Sequence, residues 1–151
     1  YELAKECASN IEVNAKSRGV HFFIEGERCS VNGNRHMLYE LMENLCENGI
    51  RYNKEGGYVR LSVGMKNGRA VLKVEDNGIG IPDKHKDRVF ERFYRVDKTR
   101  DRETGGTGLG LSITHATIMM HKGSIKVNSK EEEGTTILVR IPLKQQPAAQ
   151  A

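Results

Sequence analysis

At 151 residues, with 37% apolar and 29% charged side chains, the chain has the size and composition of one globular domain and not of a disordered tail. A formal net charge of +4 raises nucleic-acid binding, but between Asp83 and Glu103 eight basic residues mix with six acidic ones, a solvated stretch rather than a stripe tracking phosphates. Three widely spaced cysteines, Cys7, Cys29 and Cys46, give neither a disulfide framework nor a CxxC pair and suit a reducing cytoplasm, and no run of about 18 apolar residues is present.

Leu3, Ala4, Cys7, Ala8, Ile11 and Ala15 recur at helical spacing, and Gly19 stands where a left-handed terminator is expected, so a first amphipathic helix is predicted. Val20, Phe22 and Ile24 alternate with His21, Phe23 and Glu25 as a strand, and a weaker strand is predicted around Cys29 to Val31. Asn34 reads as the N-cap of a second helix running to about Tyr52. Val59, Leu61, Val63 and Met65 alternate up to Asn67-Gly68, and Ala70, Leu72 and Val74 alternate back, a hairpin with a tight turn.

A Gly- and Pro-containing turn from Asp76 to Pro82 leads to a short helix ending near Phe93, then to a polar stretch up to Gly106 without apolar period, read as a mobile loop. Leu109, Ile113, Ile118 and Met119 predict a last helix closed by Gly123, with Met119 and Met120 as core filler. Strands follow at Ser124 to Ser129 and Thr135 to Leu143 around the solvated turn Glu131-Glu132-Glu133, and residues 144–151 read as a disordered tail. Helices interleaved with mostly antiparallel strands predict a two-layer α/β sandwich, a mixed sheet with helices on one face, as one domain over residues 1–143.

Three clusters carry chemistry. Asn44, Asn48, Arg51 and Tyr52 fall within roughly 100° of arc on the second helix, a polar stripe beside the apolar face of Leu38, Leu41, Met42 and Leu45. Taken alone such a stripe reads first as a solvated helix face, and second as an amide oxygen presented to Mg²⁺, a hard cation that takes oxygen ligands. Asp76-Asn77-Gly78-Ile79-Gly80 ends a strand; an ionised Asp only accepts hydrogen bonds and suits an exocyclic amino group such as that of adenine, with Gly78 and Gly80 permitting close backbone approach. Without a pocket the same residues make an ordinary turn. Gly105-Gly106-Thr107-Gly108-Leu109-Gly110-Leu111 runs from a polar loop into a helix, where converging N–H groups and the helix dipole favour phosphate. It matches neither GxxxxGK[ST] nor GxGxxG, which excludes P-loop and dinucleotide-binding readings.

The order and spacing of these elements resemble the GHKL ATPase superfamily, which has the Bergerat ATP-binding fold, and within it the catalytic domains of sensor histidine kinases of the phosphate- and cell-wall-sensing type. Asn44 to Tyr52 looks like the N box, Asp76 to Gly80 the G1 box, Arg88 to Arg95 the F box, Gly106 to Gly110 the G2 box, and Gly134-Thr135-Thr136 the final glycine-threonine element. The resemblance implies that Asn48 ligates Mg²⁺, that Asn44 and Arg51 lie near the phosphates, and that Tyr52 stacks beside the adenine. It implies that Asp76 binds the adenine amino group, Ile81 packs on the base, Thr135 joins a water network, and Gly106, Thr107, Gly108, Leu109 and Gly110 wrap the triphosphate. Residues 82–106 correspond to the family's ATP lid, anchored by Phe90 and Phe93, with Arg95 as a phosphate contact.

In the gyrase and chaperone branches a glutamate stands four residues before the metal-binding asparagine and activates water; Asn44 holds that position, and an amide cannot take the proton. Glu47, one residue before Asn48, is the alternative base. Gly49 and Asn53 depart from the family's usual Ala and Thr or Ser without removing a ligand.

His21, His36, His85, His115 and His121 lack the His-Glu or His-Asp context of a phosphoacceptor, and Tyr1-Glu2-Leu3 resembles the start of the domain just after the hairpin. The resemblance therefore implies a monomeric cytoplasmic fragment of a homodimeric, membrane-anchored parent, receiving Mg-ATP and passing phosphate to a histidine on a dimerisation hairpin and onward to a response regulator. A self-contained ATPase and a pure nucleotide-sensing module are the alternatives.

Overall fold

The structure is a computed structural model that describes residues 1–81 and 110–142. In chain order it holds α1 (Glu2–Ser17), β1 (His21–Gly26), α2 (Arg35–Arg51), β2 (Tyr58–Lys66), β3 (Arg69–Asp76), α3 (Gly110–Met120), β4 (Ser124–Lys130) and β5 (Gly134–Pro142). The expected lid at residues 82–106, with Arg95, and the glycines and neighbours Gly106, Thr107, Gly108 and Leu109 lie outside the described residues, as does the tail at 144–151.

One five-stranded sheet runs β1-β2-β3-β5-β4, parallel only between β1 and β2. Alternation puts Val59, Leu61, Leu72, Val74, Ile137, Val139 and Ile141 on one buried face, where α1, α2 and α3 cover them. This is the two-layer α/β sandwich. Burying each of these aliphatic side chains stabilises the fold by about 1.5–3 kcal/mol before chain entropy is subtracted. α2 packs against both neighbours, and its buried face is Leu41, Met42, Leu45, Cys46, Gly49 and Ile50.

Local signals set most boundaries. Asn34 caps α2, its Oδ1 accepting the Met37 N–H at 3.0 Å. Asn67 and Gly68 take φ of 53° and 73°, the conformation that closes a two-residue hairpin. Among the described residues no helix is long and apolar enough to cross a membrane.

α3 is closed at Gly123 as expected, its N–H meeting Ile118 O at 2.9 Å, with Lys122 as the left-handed residue at φ 58°. Two expectations fail. No strand forms at Cys29 to Val31: after one more ladder bond, Glu27 N–H to Val63 O at 3.0 Å, the chain leaves the sheet to reach the cap of α2, and only Val31 packs on the core. Met119 and Met120 are not core filler, being 47% and 67% exposed. The inward face of α3 is instead Thr114, Thr117 and Ile118, continued by His121 just beyond it, because apolar residues are spread around this helix and packing against α2, not polarity, chooses the face.

Candidate functional site

The strand register composes one end of the sheet. Val59 lies opposite Asp76, Asp76 opposite Thr135, and Thr135 opposite Ser129. Each shares parity with the buried residues of its strand, so all four face the helices. Asp76 Oδ1 accepts the Gly78 N–H at 2.9 Å. Burial pushes the Asp76 carboxyl up to about 6, against the opposing pull of the Gly78 and Thr135 N–H groups. A Cβ placed on Gly49 would lie 3.5 Å from Asp76 Oδ2 and 3.1 Å from Val59 Cγ2. The second carboxylate oxygen thus faces the turn of α2 that carries Asn48, and glycine at 49, costing about 1 kcal/mol of helix propensity against alanine, lets the helix sit this close.

The Asp76 to Gly80 turn is docked on the end of α2. Tyr52 is the C-cap, and its carbonyl accepts the Ile79 N–H at 3.0 Å. Asn77 Oδ1 accepts the Tyr58 N–H at 2.7 Å, and the buried Asn53 donates from Nδ2 to Tyr58 O at 2.9 Å. A side chain on Gly78 would run into Tyr52 O, and one on Gly80, at φ 70°, into Lys130 O. Asn53, a departure from the family's usual residue, is therefore a buried brace between helix and sheet.

Ile81 is held by its N–H to Ser129 Oγ at 2.7 Å. Ser129 Oγ lies 3.0 Å from Gly134 O and 2.7 Å from Thr135 Oγ1. A hydroxyl has one proton, so with Ser129 donating to Gly134 O, Thr135 donates to Ser129, and every group is satisfied. The sequence reading missed Ser129: its parity with Val127 is legible, its place beside Thr135 is not. Ser129→Ala should cost about 1–3 kcal/mol in urea unfolding, because the Ile81 N–H loses its acceptor; an unchanged midpoint would mean water replaces the hydroxyl freely.

Asn44, Glu47, Asn48, Arg51 and Tyr52 are half-buried along the last turns of α2. Arg51 Nη1 donates to Asn48 Oδ1 at 3.4 Å. Glu47 lies toward α1: burial and then Glu43 raise its carboxyl while Arg51 lowers it, and Glu47 in turn helps burial push the Cys7 thiol up to about 12. Cys7 and Cys46 are buried free thiols, inert at neutral pH. Gly110, the last of the expected phosphate-loop residues, opens α3.

A shallow groove of about 420 Å³ at the same end of the sheet is lined in part by Tyr58, Glu75, Asn128 and Thr136, whose parity is that of the outer face. Asp76 and Thr135 also line it, and two of its charges are paired, Glu75 with Arg60 Nη1 at 3.2 Å and Lys130 Nζ with Glu133 at 3.6 Å. Among the described residues no group of three His, Cys, Asp or Glu side chains forms a metal cluster.

The chain is 36% identical over 148 residues to the sensor histidine kinase WalK of Bacillus subtilis (strain 168), an alignment covering 97% of this chain and 23% of that protein. It is 40% identical over 111 residues to the sensor histidine kinase RppB of Synechocystis sp., covering 74% of this chain and 24% of that one. The chain thus spans about a quarter of the length of these relatives. Among solved structures, a nucleotide-free catalytic domain of the histidine kinase ThkA superposes with a TM-score of 0.82 at 26% identity, covering 95% of this chain and 94% of that one. The mycobacterial sensor histidine kinase MprB shares the fold, with a TM-score of 0.82 at 24% identity and 96% of both chains covered. Residues 33–145 match the family model described as histidine kinase-, DNA gyrase B-, and HSP90-like ATPase, and the chain belongs to that family.

Proposed function

We propose that this chain binds Mg-ATP at the end of the sheet beneath α2 and presents the γ-phosphoryl group to a histidine on a separate dimerising helical hairpin, within a longer membrane-anchored homodimeric kinase that hands the phosphate to a response regulator. The observation that carries the reading is the meeting of Asp76 Oδ2 with the α2 backbone at Gly49, one residue from Asn48. Asp76 thus stands beside the turn of α2 that bears Asn48, which supports a carboxylate for the purine and an amide for the metal acting on one ligand.

In this reading Asp76 accepts the adenine amino group, Ile81 and Tyr52 flank the base, and Thr135, bonded to Ser129, orders water beside it. Asn48 holds Mg²⁺ through its amide oxygen, a neutral hard donor that fits the ion; bound there, the ion would neutralise phosphate charge. Asn44, Arg51, Arg95 and the residues Gly106, Thr107, Gly108, Leu109 and Gly110 surround the phosphates, and residues 82–106 close over them as a lid. With Asn44 in place of a carboxylate, no general base stands at the position that would activate water, so the phosphoryl group is kept for the histidine. Glu47, beside Cys7 on the α1 side, is the residue to exchange if hydrolysis occurs.

Incubating the chain with labelled Mg-ATP and a separately made hairpin should label the hairpin, while the chain alone should release almost no phosphate. Steady phosphate release without a hairpin would establish the self-contained ATPase instead; binding with neither product would establish a nucleotide sensor.

A further inference from the structure

His121 lies just beyond α3, is 5% exposed, and touches the start of α2. Its Nδ1 is 2.8 Å from Thr117 O, and a carbonyl only accepts, so Nδ1 carries the proton. Its Nε2 accepts the Asn34 backbone N–H at 3.1 Å. The imidazole is therefore in the neutral Nδ1–H tautomer, with each ring nitrogen assigned by what it meets. The ring is also seated closely: a Cβ on Gly33 would lie 2.6 Å from His121 Cδ2 and 2.7 Å from Nε2. One side chain thus joins the end of α3 to the N-cap of α2.

The position of this joint gives it a consequence at the other end of the molecule. α2 and α3 pack side by side, and the start of one meets the end of the other, so they run antiparallel. The joint lies near Gly123 and Ser124, where β4 pairs with Arg140, at the end of the sheet remote from Asp76, Thr135 and Ser129. Helices rise about 1.5 Å per residue. Equal lengths measured from His121 back along α3 and from Asn34 forward along α2 bring Gly110 level with the turn bearing Asn44 and Asn48.

We infer that His121 is a positioning residue whose Nε2, by accepting the Asn34 N–H, holds α2 and α3 in the axial register that sets Asn44 and Asn48 against the start of α3. The inference rests on the nucleotide site proposed above. A slip of one helix along the other by a fraction of a turn changes the spacing between the amides and the backbone of Gly110 at the start of α3, and binding of a triphosphate that touches both falls with it.

The test compares His121→Gln, whose carboxamide reaches the place of Nε2, with His121→Asn, which reaches only that of Nδ1. Calorimetric titration with Mg-ATP should give near-native affinity for His121→Gln and about fivefold to tenfold weaker binding for His121→Asn. Equal affinity for His121→Asn and the native chain would overturn the inference, as would weak binding by both variants with the Asn34 amide still protected in His121→Gln. Should either variant fail to fold, the native chain decides. Coupling is reciprocal, so Mg-ATP must slow hydrogen exchange at the Asn34 amide by a similar factor, and unchanged exchange at saturation would overturn the inference. A native chain that binds no Mg-ATP would instead sink the nucleotide site itself.

Discussion

Asp76→Asn is expected to erase the stabilisation that nucleotide gives this chain. Mg-ATP at 100 times its dissociation constant should add about 2.7 kcal/mol, a rise of roughly 5–10 °C in melting temperature for a domain of this size. With its oxygen held by the Gly78 N–H as Asp76 Oδ1 is, Asn turns its NH2 toward the adenine amino group, donor against donor, and such a mispaired buried group costs more than the hydrogen bond it replaces. The unliganded variant should stay folded, because removing a buried charge offsets the loss of one of the two N–H bonds now made to the carboxylate. A melting shift that survives the substitution removes Asp76 from the adenine site, and with it the central contact of the proposed function.

The same carboxyl sets a pH dependence of opposite sign for folding and for binding. Its ordinary value is 3.8 and its native value about 6, so between those limits the native state holds a proton the unfolded chain has lost. Its contribution to stability therefore falls as pH rises from about 4 to 6 and is level above that. Nucleotide wants the ionised form, so affinity should weaken as pH drops below about 6. Melts and titrations across pH 4 to 8 should show both trends, and Asp76→Asn should flatten them.

Gly134→Ala is expected to be the most damaging single-methyl change at the site. Gly134 has φ 126°, and a Cβ there would run into the carbonyl of Asp76, backbone against backbone. Strain and clash together should cost about 3 kcal/mol or more, roughly 6–12 °C in melting temperature. The control is Gly68→Ala at φ 73°, where a Cβ would meet nothing within 4 Å and only the conformational cost, about 1 kcal/mol, remains. Equal melting temperatures for the two variants would contradict the close packing of β5 on the end of β3 from which the Asp76 to Thr135 pairing follows.

What was readable from residue order was whatever short-range physics dictates. Strand alternation, the Asn67-Gly68 turn, the Asn34 cap and the polar stripe from Asn44 to Tyr52 each depend on neighbours within a few positions, and each formed where expected. Motif order was enough to point to the family. Tertiary structure alone decided the rest. Cys29 to Val31 has strand-forming residues but leaves the sheet because the chain must reach the cap of α2. Met119 and Met120 lie outward because α2 selects Thr114, Thr117 and Ile118 from a helix whose apolar and small polar residues are spread over all its sides. Ser129, Asn53 and His121 act through partners that are set by sheet register and helix docking, contacts between segments far apart in the chain, and so carry no mark in the local sequence.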